Sequence, residues 1–264
     1  MSQNPKNILR VYLNNTPVGA LKKLSNGALH FQYETTWVNS PNAIPLSLSL
    51  PLTTHIYAGD VVINYFDNLL PDNDSIRKTL ALRMSLNNQE VFNLLSAIGR
   101  DCVGAIQLIP EQEGFPLSKK INALPISDRA ISEILKNLKN SPLGINPEED
   151  FRISIAGAQE KTAFLKLKNG WHIPQGSTPS SHIFKVQMGV LRDQIDMTHS
   201  VENEWLCLQI CKAFGLPTAE AEIADFNGVR ALVVERFDRE LTENSMLRYA
   251  QEDFCQAAGL PSYK

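Results

Sequence analysis

A lysine within an apolar segment is the residue of this sequence whose surroundings most directly suggest chemistry. Lys185 lies in the run 182–186 and follows Ile183 and Phe184. A lysine in such a run either extends its stem so that the ammonium group reaches water, or it binds an anion. Nucleotide phosphates are anions that strand lysines bind, so Lys185 is a candidate phosphate-binding residue.

Two glutamates that follow are candidates to hold this lysine in place. A helix is predicted at 200–215, because it ends at glycine with Pro217 just beyond, as helices often do. Glu202 and Glu204 are two positions apart on this helix and therefore point in different directions. Only one of them can face Lys185, and we favour Glu204.

A loop of small and polar residues precedes the lysine-bearing strand. It contains one glycine, Gly157, and the strict pattern G-x-x-x-x-G-K-[ST] is absent because Glu160 stands where that pattern requires glycine. The residues alone therefore leave two interpretations, a phosphate-binding loop and a plain tight turn. The loop consists of Ala156, Gly157, Ala158, Gln159, Glu160 and Lys161.

Several strands and one helix in the second half of the chain would position these residues. Asn169-Gly170 and Asn227-Gly228 mark tight hairpins between segments in which apolar and polar residues alternate. The predicted order is a strand, the loop, a strand, the strand with lysine, the helix with glutamate, two strands and a polar exit. Protein-kinase N-lobes have this order, although other α/β segments share it. The strands include 151–155, 162–168, 171–173, 182–186 and 231–234.

The first half of the chain predicts a small mixed domain. Short strands alternate over 8–33, Leu and Ser alternate over 45–52 as in a strand with one exposed face, and the period is helical over 60–98, with a break at Pro71. We therefore predict an α/β (α+β) protein with few contacts across its connector. Its predicted units are an N-terminal domain at 1–110, a connector with a helix at 111–149, a kinase-like N-lobe at 150–238 and a final segment at 239–264.

Composition limits the class of protein further. The 264 residues are 43% hydrophobic and 20% charged, which is ordinary for a globular protein. The net charge of −3 does not match a stand-alone nucleic-acid binder. Cys207 and Cys211 would share a helix face without a suitably spaced histidine, so we expect small buried residues rather than metal ligands. No signal segment and no apolar run of about 18 residues is present, which favours a cytoplasmic protein.

Six short motifs spread along the chain form a pattern that is far more specific than any one of them. They are LSLSLPL at 46–52, FDNLLPD at 66–72, IGRDCVGA at 98–105, DFRISIAGAQEKT at 150–162, VERFDR at 234–239 and QED at 251–253. These motifs resemble those of the HipA family, the toxins of type II toxin–antitoxin pairs. The resemblance covers essentially the whole chain.

This resemblance implies a function that the residues alone do not. Members of the family are serine/threonine kinases that use ATP and Mg²⁺ to phosphorylate glutamyl-tRNA synthetase, which inhibits translation and leads to growth arrest and persistence. Their partner is a helix-turn-helix antitoxin similar to HipB, which the N-terminal domain contacts. Operator DNA is bound only through the toxin–antitoxin complex, and no membrane is involved.

The resemblance also implies roles for individual residues. Ser154 matches an autophosphorylated serine whose phosphate would drive the adjacent loop out of the nucleotide site; taken alone, it is a solvent-facing strand serine. Glu235 and Phe237 match a hinge that contacts adenine; taken alone, they form a polar strand end. Glu204 is the helix partner of the lysine. The implied ATP-binding set is Ala156, Gly157, Ala158, Gln159, Glu160, Lys161, Lys185, Glu235 and Phe237.

The sequence departs from the family pattern near its end. Family members continue past the position of Lys264 and carry their catalytic aspartate and metal ligands there. Neither Asp238 nor Asp253 has the later asparagine of a kinase catalytic loop. We therefore expect a truncated N-terminal portion without most of the C-lobe, with no catalytic residue and no metal site, and inactive alone. The alternative is a non-catalytic module that binds an antitoxin or a separately encoded kinase C-terminal part.

Overall fold

Two antiparallel sheets with accompanying helices make up the protein. The computed structural model describes residues 7–114, 120–146, 152–190, 194–243 and 245–262. The strands of the first sheet are β1 (Ile8–Leu13), β2 (Thr16–Lys23), β3 (Leu29–Tyr33), β4 (Tyr57–Ala58) and β5 (Ile106–Pro110). Their order is β4-β3-β2-β1-β5, and each neighbouring pair is antiparallel.

Four helices in the same half of the chain complete this N-terminal part. They are α1 (Thr35–Val38), α2 (Asp60–Asp67), α3 (Asp74–Arg83) and α4 (Val91–Ile98). Phe66 of α2 packs against Phe31 of β3 with ring centroids 5.7 Å apart, and both side chains are fully buried. The predicted break at Pro71 is present, and α3 begins after it because the Asn73 side chain accepts N–H hydrogen bonds from the first turn.

The segment 45–52 is not the strand that its alternating pattern predicts. It contains turns and one isolated bridge between Ser47 and Leu50. The hydroxyl groups of Ser47 and Ser49 donate hydrogen bonds to the backbone oxygen of Gln256, at 3.1 and 2.6 Å. The alternating serines therefore serve a contact with a distant segment rather than a sheet with one exposed face.

The second sheet contains six strands from the later part of the chain. They are β6 (Ala123–Pro125), β7 (Lys161–Leu167), β8 (Gly170–Pro174), β9 (His182–Val186), β12 (Ala221–Phe226) and β13 (Val229–Glu235), in the order β12-β13-β9-β7-β8-β6. Two small ladders pair β10 (Gly189–Val190) with β11 (Asp196–Met197), and β14 (Arg239–Leu241) with β15 (Met246–Arg248). The helices are α5 (Asp128–Lys136), α6 (Ser200–Ala213) and α7 (Phe254–Ala258).

Helices α5 and α6 pack on this sheet, and strand β9 shows how they are arranged. Phe184 of β9 is fully buried in an apolar cluster with Ile131 and Leu135 of α5. Lys185 is the next residue in the strand and therefore points to the opposite face, on which α6 lies. Within the described ranges, no helix has the length and apolar character that crossing a bilayer requires.

The two halves of the molecule share one core. Leu143, Ile145, Ile153, Ile155 and Ala163 belong to the same buried cluster as the N-terminal sheet and its helices. The expectation of few contacts across the connector is therefore wrong, because apolar residues on both sides of it pack together. The mixed α/β class predicted from the sequence is confirmed.

Two further local predictions are wrong. Residues 152–156 form no strand, and Ile153, Ser154 and Ile155 are all buried, so neither side of this segment faces water; Phe151 lies outside the described residues. Cys207 is exposed and Cys211 partly exposed, because α6 buries only its first turn.

Candidate functional site

Lys185 and Glu204 form an ion pair between β9 and α6. The ammonium group of Lys185 donates a hydrogen bond to the Glu204 carboxylate at 2.5 Å, and both side chains are mostly buried. Glu202 points elsewhere, where it accepts hydrogen bonds from Gln187 and Arg230. The structure thus brings together the lysine and the glutamate that the sequence favoured, while their role in nucleotide binding stays a prediction.

Lys161 places a second ammonium group beside this pair. It lies directly opposite Lys185 in the register of β7 and β9, is 5% exposed, and donates to the backbone oxygen of Ala156 at 2.9 Å. Burial lowers its pKa to about 8, and the nearby charge of Lys185 adds to this shift. The side chain therefore folds back into the loop that precedes its own strand.

The loop 156–160 is anchored on both sides. Gln159 donates a side-chain hydrogen bond to the backbone oxygen of Val186 at 2.7 Å, which ties the loop to the end of β9. The backbone oxygen of Gly157 accepts a hydrogen bond from the N–H of Asp72 in the N-terminal part. Gly157 has φ +106°, and a Cβ at this position would lie 2.7 Å from the Lys161 ammonium nitrogen. The backbone angle therefore favours glycine here, and a side chain at this position would displace the Lys161 ammonium group.

Ser154 lies just before this loop and is fully buried. Its hydroxyl group donates to the backbone oxygen of Leu69 at 2.7 Å, and its N–H donates to the backbone oxygen of Asp101 at 3.0 Å. The interpretation as a solvent-facing strand serine is therefore wrong. A kinase can reach this hydroxyl only after the segment has left its position against the N-terminal part.

The predicted hinge residues lie where β13 ends. Glu235 is exposed and Phe237 is 71% exposed, whereas Arg236 between them is buried. The backbone of this segment is held by hydrogen bonds from the Glu235 N–H to Glu220 and from the Arg236 N–H to Ser181. The two predicted side chains therefore point away from the protein body, on the same side of the strand exit.

A buried cluster of charged side chains supports the hinge, and the sequence analysis did not identify it. The Asp101 carboxylate accepts hydrogen bonds from Arg236 and Arg239, at 3.4 and 3.0 Å, and lies 3.5 Å from Arg248. Burial opposes ionisation of Asp101, but the three guanidinium groups outweigh it and hold the pKa of the carboxyl well below its usual range. The available signal was the acidic and basic residues of two motifs, Arg100 and Asp101 in IGRDCVGA and the four charged residues of VERFDR.

The positive charges at this site suit the phosphates of a nucleoside triphosphate. Two ammonium groups, those of Lys161 and Lys185, lie beside a glycine-containing loop, which suits a polyanion. In the part of the chain that the structure describes, no group of three or more His, Cys, Asp or Glu is placed to hold a metal ion.

Known proteins share both halves of this architecture. The family model for the HipA N-terminal domain matches residues 9–109, and that for the HipA-like C-terminal domain matches residues 153–264. A putative kinase of Sinorhizobium fredii, Y4mE, is 32% identical over 96% of this chain and 60% of its own length. A serine/threonine-protein kinase toxin HipA of Shewanella oneidensis is 28% identical over 95% of this chain and 55% of its own length.

A solved structure agrees with these matches. The HipA of Shewanella oneidensis MR-1, determined in complex with HipB and its operator DNA, superimposes with a TM-score of 0.75 at 27% identity, covering 97% of this chain and 57% of that one. The chain thus spans between 55% and 60% of the length of these relatives. With both family models matched in order and the fold shared along nearly the whole chain, the protein belongs to the HipA family.

Proposed function

We propose that this chain forms the nucleotide-binding part of an ATP-dependent serine/threonine kinase of the toxin type. The observation that carries the proposal is the ion pair of Lys185 and Glu204, at 2.5 Å, beside the loop 156–160. A strand lysine held by a helix glutamate is the arrangement with which kinases bind nucleotide phosphates. Bound ATP would supply the phosphoryl group that such an enzyme transfers.

Each part of the site has a proposed task. Glu204 holds the Lys185 ammonium group in place, and Lys161 adds a second positive charge opposite it. The loop residues from Ala156 to Lys161 contribute backbone N–H groups to the phosphates. Glu235 and Phe237 contribute the segment that contacts adenine.

Transfer of the phosphoryl group requires more than binding. A base must orient the receiving hydroxyl, and acidic residues must hold the metal ion. We propose that the 264 residues alone bind ATP without turnover. The alternative is a non-catalytic module that binds an antitoxin or a separately encoded kinase C-terminal part.

The substrate and partners proposed for the whole kinase follow from its family. We propose glutamyl-tRNA synthetase as the phosphorylated protein, growth arrest as the result, and the cytoplasm as the location. The structural neighbour was determined with HipB and operator DNA, which supports a helix-turn-helix antitoxin as the partner of this chain. The region 1–110 is the proposed contact surface, and operator DNA is reached through the antitoxin.

Isothermal titration calorimetry with ATP tests nucleotide binding directly. We expect Lys185→Met and Glu204→Gln each to weaken binding by about tenfold or more, because a charge-assisted contact to phosphate is lost or misdirected. Lys212→Met is the matched control, since Lys212 forms an exposed ion pair with Glu220 at the other end of α6. Equal ATP binding by the unaltered chain and Lys185→Met would reject the proposed site.

Incubation with labelled ATP, Mg²⁺ and glutamyl-tRNA synthetase tests turnover. We expect no labelled protein from the 264-residue chain. Turnover that disappears on Lys185→Ala would show that the chain is itself a complete kinase, and the binding-only proposal would then be wrong.

A further inference from the structure

The hinge segment is fixed by a loop that comes from the other half of the chain. Residues 101–104 lie against residues 236–239, and the contacts run in both directions. The N–H of Gly104 donates to the Asp238 carboxylate at 2.8 Å. Arg239 in return donates to the backbone oxygens of Cys102 and Gly104, both at 2.8 Å.

The Asp101 carboxylate is the centre of this contact. It accepts hydrogen bonds from both the N–H and the hydroxyl group of Ser180, at 2.9 and 2.7 Å, in addition to those from Arg236 and Arg239. Ser180 also accepts a hydrogen bond from Arg236 at 2.9 Å. All four residues are buried, and the Asp238 carboxylate also pairs with Arg236 and Arg239. Removal of the Asp101 charge therefore leaves Arg236 and Arg239 to share the Asp238 carboxylate, and it removes the carboxylate beside Arg248, in a region that water does not reach. We expect the hinge backbone to shift in response.

The loop 101–104 also contacts the segment that leads into the proposed phosphate-binding loop 156–160. The backbone oxygen of Asp101 accepts the N–H of Ser154, two residues before the loop begins. Leu69 and Asp72, also from the N-terminal part, bind Ser154 and Gly157. One residue therefore contacts both sides of the proposed nucleotide site, through its carboxylate on the hinge side and through its carbonyl on the phosphate side.

We propose that Asp101 is a positioning residue for nucleotide binding, which sets the adenine-contacting segment 235–239 relative to the phosphate loop. The proposal rests on the proposed function, because it assigns Asp101 to that same site. It gives the N-terminal part a role in nucleotide recognition in addition to any contact with an antitoxin. Asp101 touches no ligand itself and acts through Arg236, Arg239 and Ser154.

The test compares nucleotide affinity and backbone protection in Asp101→Asn and the milder Ser180→Ala. We expect ATP affinity to fall about tenfold in Asp101→Asn, the equivalent of one well-placed hydrogen bond to adenine. The preference for ATP over GTP should fall as well, because a displaced hinge no longer distinguishes the two bases. Ser180→Ala should also lower the ATP affinity and the preference for ATP over GTP, each by a smaller factor. Hydrogen–deuterium exchange should rise in 152–161 and 235–249 of both variants.

Leu21→Ala is the control for a general loss of stability. Leu21 is fully buried in the N-terminal core, and its removal leaves the contacts of Asp101 in place. At a temperature at which all variants are folded, we expect Leu21→Ala to keep the ATP affinity and the ATP-over-GTP preference of the unaltered chain. Exchange in 152–161 and 235–249 should also stay unchanged.

Measuring ATP binding and hydrogen–deuterium exchange together separates this proposal from the proposed function. If the unaltered chain binds no ATP, the proposed function fails, and exchange alone then decides whether Asp101 positions the two segments. If the unaltered chain binds ATP and folded Asp101→Asn keeps the same affinity and the same preference, the positioning role is overturned, whatever the exchange shows. A Leu21→Ala variant that loses the ATP-over-GTP preference equally would also overturn it, because general destabilisation would then explain the effect.

Discussion

Lys161 is the residue whose ionisation links folding most directly to the proposed ligand. Its pKa falls from 10.5 to about 8, first because the ammonium group is buried and then because Lys185 lies opposite. Since the folded pKa lies below the unfolded one, the unfolded chain binds more protons between about pH 8 and pH 10.5. The free energy of unfolding therefore rises with pH across that window, and below about pH 8 the full cost of the buried charge is present.

ATP binding should take up protons near pH 8. A triphosphate next to Lys161 favours the charged form of the lysine, which is about half populated in the free protein at pH 8. Binding of one ATP should therefore take up about half a proton at pH 8, and less at pH 7, where Lys161 is already mostly charged. Calorimetric titrations in buffers of different ionisation enthalpy measure the uptake. Lys161→Met should abolish it, whereas Lys166→Met, which removes a lysine lying over Trp171, should leave it unchanged. Buffer-independent binding enthalpy at pH 8 would contradict the placement of phosphate beside Lys161.

Ser154 should tolerate loss of its hydroxyl group better than addition of charge. Ser154→Ala removes the hydrogen bond to Leu69 and should lower the free energy of unfolding by about 1–3 kcal/mol. Ser154→Asp places an unpaired carboxylate in a buried position and should cost about 3–5 kcal/mol. Urea denaturation measures both changes, with Thr198→Ala as an exposed control. Similar stability of the two variants would show that Ser154 is exposed in solution.

Phosphate on Ser154 should come only from another kinase molecule. The chain is proposed to bind ATP without turnover, and the serine is buried until its segment detaches. Mass spectrometry should therefore find the phosphate after co-expression with a full-length family member, and not after expression alone in a strain without such kinases. Phosphate on Ser154 in the second case would disprove this prediction.

At the residue scale, the sequence revealed those site residues whose direction follows from local periodicity. Alternation along β9 and the spacing of Glu202 and Glu204 on α6 are local properties, and they showed that only one of the two glutamates can face Lys185. The structure pairs Lys185 with Glu204, the residue that we favoured. The role of Asp101 depends on Arg236, which lies 135 residues later, and no local pattern encodes that distance. Sequence spacing does not predict ion pairs between residues that are far apart in the chain and come together only on folding.

At the scale of elements, turn chemistry was more informative than alternation. Both predicted hairpins form, and Asn227-Gly228 makes its turn as predicted, with both residues at positive φ. In the other hairpin the turn residues are Lys168 and Asn169, one position earlier than predicted, and Gly170 begins β8. The alternating segments 45–52 and 152–156 form no strands. The first uses its serines to bind Gln256, and in the second the consecutive residues Ile153, Ser154 and Ile155 are all buried. In neither case does alternation reflect one exposed face and one buried face.

The loop 156–160 should depend on its glycine for more than backbone freedom. Gly157→Ala and Gly170→Ala both place a side chain at positive φ, +106° and +118°, and each should cost about 1–2 kcal/mol of stability. Only at Gly157 does the new Cβ meet the Lys161 ammonium group; nothing lies within 4 Å at Gly170. We therefore expect weaker ATP binding for Gly157→Ala alone, measured by calorimetric titration. Equal loss of affinity in both variants would argue against this role of the loop.

At the scale of the whole molecule, hydrogen bonds from three N-terminal segments join early parts of the chain to late ones. Ser47 and Ser49 bind Gln256, Asp101 binds Arg236 and Arg239, and the side chains of Asn64 and Asn68 donate to the backbone oxygens of Gly259 and Leu260. Each of the three N-terminal contact regions therefore reaches a residue from the last part of the chain. The contact of Asp101 with Arg236 and Arg239 joins two of the motifs that carried the family resemblance, whereas Asn64, Gln256, Gly259 and Leu260 lie outside those motifs.

The chain should unfold in a single cooperative transition. A core shared between the halves and a buried charge cluster between them make it costly to unfold one half alone. Differential scanning calorimetry should give one peak whose calorimetric and van't Hoff enthalpies agree. If residues 1–110 instead unfold in a separate peak at a lower or higher temperature, that result would support the independent domain predicted from the sequence.

The buried contact between residues 101–104 and 236–239 also restricts how this protein can exchange parts with its relatives. A chimera that joins residues 1–110 of this chain to the second half of another family member keeps the loop of Asp101 but receives a foreign set of arginines. If that set differs in number or position, a desolvated charge is left without its counterion. Functional chimeras of two family members that are joined at the connector should therefore be rare. We expect a functional chimera to take residues 101–104 and residues 236–239 from the same parent.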